Sequence, residues 1–132
     1  MTLHMLDTNT VSFLIRGEPV VVAHVVEVPM NSLCLSAITE GELRFGLAKR
    51  PEAKGLHGAV NELLLRIEVL PWDRPIAACY GTLRWELEKR GRPLGPLDLQ
   101  IAAHALGTGA ELVTNDGSFR QVPGLQVIDW TV

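Results

Sequence analysis

Short apolar runs alternate with longer stripes at helical spacing along this chain, and that alternation predicts its elements. Residues 3–6 read as a first strand, and 8–16 as a helix that Gly17 and Pro19 end. Residues 19–27 fit two patterns. Their valines favour a strand, whereas the leading Pro19 and the apolar positions 21, 22, 25, 26 and 28 fit a short helix, which is the reading adopted. Residues 33–37 form a second strand, followed by a helix over 38–50 that Ser36 or Thr39 can cap and Pro51 helps stop. Leu56, Val60, Leu63, Leu64 and Ile67 make a helical stripe over 55–66, and 67–70 a third strand. The helix over 75–89 is the clearest amphipathic one, with Pro75 in its first turn and Gly91 past its end. Residues 91–96 are a Gly- and Pro-rich loop. A helix of small residues spans 97–106, closed by Gly107 and Gly109, and strands follow at 111–115 and 125–130.

Strands alternating with helices predict an α/β chain: a three-layer α/β/α fold on a central, mainly parallel five-stranded sheet. Apolar strands without polar alternation fit burial on both faces. With 132 residues and no linker or repeat, a single domain over 1–132 is expected. Hydrophobic residues are 47% of the chain, enough for a core. The net charge of -3 argues against a general polyanion-binding surface, though not against a local grip on nucleic acid. Cys34 and Cys79 sit among apolar neighbours and read as small buried hydrophobes in a reducing compartment. The N-terminus lacks a signal-peptide pattern and no apolar run is long enough to cross a bilayer, so a cytoplasmic protein is expected.

Four carboxylates sit where predicted elements end or begin. Asp7 closes the first strand, Glu42 lies early in the helix after the second, Asp98 opens the helix of small residues, and Asp116 follows the fourth strand. In an open parallel sheet the strand ends form the ligand crevice, so all four can converge on one edge. Each alone has a plainer reading, as a turn residue, a cap or a partner of a helix dipole. Together they make a set of hard oxygen ligands suited to Mg²⁺, with Mn²⁺ as a substitute, and to chemistry on phosphates. Two such ions would carry the formal charge from -3 to +1. Thr8 and Asn9 can orient Asp7, and Thr114 and Asn115 can hold Asp116. Glu40 rivals Glu42; on a helix the two point about 200° apart, so only one can face the crevice. His104 reads as a core or interface residue, and His4, His24 and His57 have no partner spacing.

These residues carry a resemblance to the PIN-domain ribonucleases, and among them to the VapC toxins of bacterial toxin–antitoxin pairs. Leu-Asp-Thr-Asn stands at 6–9, Glu-Leu-x-x-Gly at 42–46, Asp-x-x-Ile-Ala-Ala at 98–103 and Thr-x-Asp-x-x-Phe at 114–119. Each motif is short; their order across the whole chain makes the resemblance, and the second selects Glu42 over Glu40. It implies a Mg²⁺-dependent endoribonuclease with Asp7, Glu42, Asp98 and Asp116 as catalytic residues. Asp7, Asp98 and Asp116 would hold the metal, and Glu42 would contribute directly or through water. It further implies a homodimer and a cognate VapB antitoxin whose C-terminal segment covers the catalytic groove. The stretch 91–98 is similar to the VapC branch that attacks initiator tRNA in its anticodon loop.

RNA needs positive charge near the acidic residues. Arg44, Lys49, Arg50 and Lys54 form one candidate group, and Arg84, Lys89, Arg90 and Arg92 another; both also read as solvated helix faces. Trp72, Tyr80 and Trp85 could stack on bases but are read first as buried. A receiver domain would need adjacent acids after the first strand and a lysine after the fifth, and a haloacid-dehalogenase phosphatase would need an acid at Asn9. Gly107-Thr108-Gly109 lacks the third glycine of a nucleotide loop. The remaining alternative is a catalytically inert PIN-fold binding protein.

Overall fold

The structure is a computed structural model that describes residues 1–132. Strand β1 (His4–Leu6) lies at the centre of the sheet. It pairs in parallel with β2 (Leu33–Ser36) on one side and β4 (Glu111–Val113) on the other. The outer strands β3 (Glu68–Leu70) and β5 (Val127–Ile128) extend the order to β3-β2-β1-β4-β5, with every pairing parallel. Each connection carries helix: α1 (Thr8–Ile15) and α2 (Pro19–Val26), α3 (Ala37–Ala48) and α4 (Lys54–Arg66), α5 (Arg74–Lys89) and α6 (Pro96–Thr108). The last connection holds only a 3-10 turn, Gly117–Gln121.

The register sorts the core into two faces. Met5 pairs with Cys34 and with Leu112, and all three meet Leu83 and Leu87 of α5 and the small residues of α6. One residue on, Leu6 pairs with Val113 and faces the opposite way, toward Val11, Leu43, Leu47 and Val60 of α1, α3 and α4. This alternation is the period of two of a strand, and burial on both sides explains why the strands read as continuous apolar runs. Cys34 is buried, and desolvation, with nearby Glu68 adding, pushes its thiol up to about 12. Cys79 is only half-buried.

The ambiguous valine segment is helix α2, opened by Pro19 at the first helical position, where no N–H is required. Other expectations need correction. Helix α6 runs through Gly107 and stops at Gly109, whose φ of 72° is the left-handed cap that favours glycine. Gly107 is there for packing: a Cβ on it would lie 2.7 Å from Ile76 Cδ1 of α5. Ser36, not Thr39, caps α3, its hydroxyl accepting from Ile38 N at 3.0 Å. Strand β5 is shorter than expected, because Asp129 turns back to accept from Thr131 N at 2.8 Å. Strand β4 ends at Val113, and the sheet is wholly rather than mainly parallel. Trp85 is not buried; it is 60% exposed.

Candidate active site

The strand order reverses between β1 and β4, so the connections leaving their carboxyl ends part in opposite directions and open a crevice there. Asp7 is the first residue past β1 and only 5% exposed. Its backbone N donates to Val113 O at 3.1 Å, locking it against the end of β4. Its Oδ1 accepts from Thr10 N at 2.8 Å, capping α1. Thr10, a residue the sequence reading passed over, donates its own hydroxyl to Val113 O at 3.0 Å and braces the same junction.

Asp98 stands in the first turn of α6, half-buried. Burial, then the charges of Asp116 and Asp7, hold its carboxyl above the ordinary carboxylate range. Asp116 follows β4 and caps the 3-10 turn, its Oδ1 accepting from Ser118 N at 2.9 Å and from Ser118 Oγ at 2.8 Å. Ser118 was also overlooked, although Asp-x-Ser after a strand is the spacing of such a turn. Buried Thr114 accepts from Asp116 N through its hydroxyl at 3.0 Å, and Asn115 is exposed beside it.

A crevice of about 190 Å³ is lined by Asp7, Thr8, Asn9, Glu42, Asp98 and Ile101, among others. Glu42 reaches it from α3, while Glu40 pairs with Arg44 at 2.6 Å on the outer side of that helix. Asp7, Glu42 and Asp98 thus share one space; Asp116 is outside its lining, although its charge acts on Asp98. No three of the acidic, histidine or cysteine side chains approach closely enough to make a ready ligand cage. The donors are nonetheless all hard carboxylate oxygens. An ion such as Mg²⁺ keeps much of its water and takes only one or two carboxylates directly, so the set fits a hydrated divalent cation. Like charges that raise Asp98 are also what a cation would relieve.

Comparison with known proteins agrees with this geometry. The PIN domain family model matches residues 4–125. The tRNA(fMet)-specific endonuclease VapC of Salmonella typhimurium is 36% identical over 127 residues, 96% of each chain. Ribonuclease VapC2 of Haemophilus influenzae is 32% identical, over 98% of this chain and 99% of its own. Among solved structures, VapBC2 from Rickettsia felis bound to a promoter DNA fragment superposes with a TM-score of 0.91 at 30% identity, over 98% of this chain and 99% of the other. DNA-bound VapBC from Salmonella typhimurium follows with a TM-score of 0.90 at 36% identity, over 98% and 99% of the two chains.

Proposed function

The chain belongs to the PIN-domain family and, within it, to the VapC ribonucleases of type II toxin–antitoxin systems, and from that membership we propose a divalent-metal-dependent endoribonuclease that cuts initiator tRNA in its anticodon loop and so halts translation. The observation that carries the reading is the meeting of Asp7, Glu42 and Asp98 in one crevice at the sheet's switch point, with the charge of Asp116 acting on Asp98. The target RNA rests on the Salmonella relative, whose activity toward tRNA(fMet) is in its name.

Asp7, Asp98 and Asp116 would hold Mg²⁺ or Mn²⁺, with Glu42 contributing across the crevice directly or through water. When bound, such an ion supplies Lewis-acid stabilisation of the charge that builds on the phosphate. Asp7 is fixed by its cap to α1, where Oδ1 accepts from Thr10 N, and it keeps acceptor capacity for an ion in the crevice. Ser118 holds one oxygen of Asp116 in the same manner. These bonds set the carboxylates in place before substrate arrives, which is how positioning lowers a barrier. Asn9, Thr114 and Asn115 support that arrangement from outside the carboxylate set. The chain acts as one PIN domain in the cytoplasm, as a homodimer restrained by a VapB antitoxin; the VapBC relatives support that partner. No helix is long and apolar enough to cross a membrane.

The test uses purified, antitoxin-free chain on total bacterial RNA with Mg²⁺, with EDTA, and with Asp7→Asn in place of the parent. An asparagine can still accept from Thr10 N, so the variant keeps its fold. Cuts at one or a few sites, lost with EDTA and in the variant, are the expected result. Full activity in folded Asp7→Asn, or none from the folded metal-loaded parent, would turn the reading toward an inert binding protein.

A further inference from the structure

A second cavity, about 320 Å³, opens beside the catalytic crevice between α1, α3 and α4. Thr8 and Glu42 line both, so the two spaces adjoin across those residues. Three cations line the second cavity, Arg16 from the end of α1 and Lys49 and Arg50 from the end of α3, against the single carboxylate of Glu42. None of the three belongs to an ion pair within the chain. The other basic side chains considered for RNA are mostly engaged: Arg44 with Glu40, Arg84 with Glu88, Lys89 and Arg90 with Glu86.

Aromatic rings stand against two of these cations, outside the groove's own lining. Arg16 lies over the Phe13 ring at 5.0 Å and Lys49 over the Phe45 ring at 4.6 Å. Phe45 is 58% exposed, three positions along α3 from Glu42. Three or four residues is the spacing of neighbours on one helix face, so the acid, the exposed ring and Lys49 follow one another along α3. Gly46, which also lines the groove, has open space where a Cβ would stand. Free cations beside an exposed ring are the two parts of a single-strand binding surface, charge for the backbone and a face for a base.

We propose that the groove between α1, α3 and α4 carries the single-stranded RNA away from the cut, with Arg16, Lys49 and Arg50 on successive phosphates and Phe45 beneath a base. This rests on the reading that the chain acts on RNA, and it names the path of the strand. The charge sign selects a polyanion, and the two lining residues shared with the crevice select the one being cut. The groove also explains how a chain of net charge -3 holds RNA: its cations are gathered at one side of the acidic crevice.

The experiment measures fluorescence anisotropy of a labelled single-stranded 12-nucleotide polyuridine probe (length of about 12 chosen to span a site of ~4–16 nucleotides) against full-length protein over a salt series. All arms carry Asp98→Asn so that no cut intrudes. One arm adds Arg16→Gln, Lys49→Gln and Arg50→Gln; another adds Arg84→Gln, Lys89→Gln and Arg90→Gln, an equal loss of charge. Each single-strand phosphate contact contributes about 0.7 to the slope of log K against log salt, so the groove arm should lose about 2 and bind roughly tenfold more weakly or worse. The control arm should keep the parent slope. A third arm, Phe45→Ala, should weaken binding with the slope unchanged. Equal losses in the two triple variants, or no binding by the parent, would overturn the proposal. So would groove variants that keep RNA but no longer co-purify with the antitoxin, since the groove would then belong to the protein partner. Cleavage by the chain with Asp98 intact is scored separately: binding that follows this pattern without any cleavage leaves the groove standing and removes the nuclease.

Discussion

Ser36 Oγ lies 2.7 Å from His104 Nδ1, a buried bond across 68 residues of sequence that ties the cap of α3 to the middle of α6. These are the helices that bring Glu42 and Asp98 to the crevice. Ser36 Oγ also accepts from Ile38 N at 3.0 Å, so one hydroxyl joins the first turn of α3 to the ring. Nε2 has no hydrogen-bond partner, and the ring meets Trp72 edge-on at 5.6 Å. Replacing His104 with Ala deprives the buried Ser36 hydroxyl of its ring partner and opens a void in the core, and should cost about 2–4 kcal/mol of stability. His104→Asn, which can still accept from Ser36, should recover part of that loss. Urea denaturation of the three proteins measures both.

Burial lowers the pKa of His104 below its ordinary value, with Asp73 opposing in part. The folded chain therefore holds the ring neutral where the unfolded chain begins to protonate it. Stability from this group is full above about pH 6.5, the unfolded value, and is lost as pH falls below it toward the folded pKa. The urea midpoint should drop through that window in the parent and much less in His104→Asn. Equal pH dependence in both would show that another group is responsible.

Asp98 has the opposite sign. Its folded pKa is raised, so the folded state takes up a proton more readily than the unfolded one, and ionised Asp98 costs stability at neutral pH. That cost is relieved as pH falls through the folded pKa. Asp98→Asn should raise the melting temperature by a few degrees without metal while abolishing cleavage. Mn²⁺ should raise the melting temperature of the parent and have a smaller effect on the variant. A variant that melts lower than the parent in EDTA would contradict this account of the crevice.

Gly107 lets α5 and α6 approach. Gly107→Ala should destabilise by at most about 1 kcal/mol, because the added Cβ meets the end of the Ile76 side chain, Cδ1, at 2.7 Å while the gain in helix propensity offsets part of the cost. Ile76→Val removes that first atom and should rescue most of the loss in a double-mutant cycle followed by thermal melting.

The amino-acid pattern alone determined the elements and the chemistry they carry. Apolar runs and helical stripes placed five strands and six helices in order, because each element must bury a face and its period records which. Asp7, Asp98 and Asp116 stood out because a carboxylate at the edge of an apolar element has few plain uses, and Pro19 opened α2 because its ring suits a first turn. What depends on contacts far apart in sequence was decided only by the tertiary structure. Gly107 read as a helix stop until α5 lay against it, and β5 lost its ends to turns. The Ser36–His104 bond has no local signature at all. Nor could spacing sort the arginines and lysines: each of the two basic clusters looked equally solvated, and Arg16 belonged to neither. Folding paired one cluster with its own glutamates and brought Arg16 beside Lys49 and Arg50 at the mouth of the crevice. A charge's partners are set by distances in space, and one sequence records only distances along the chain.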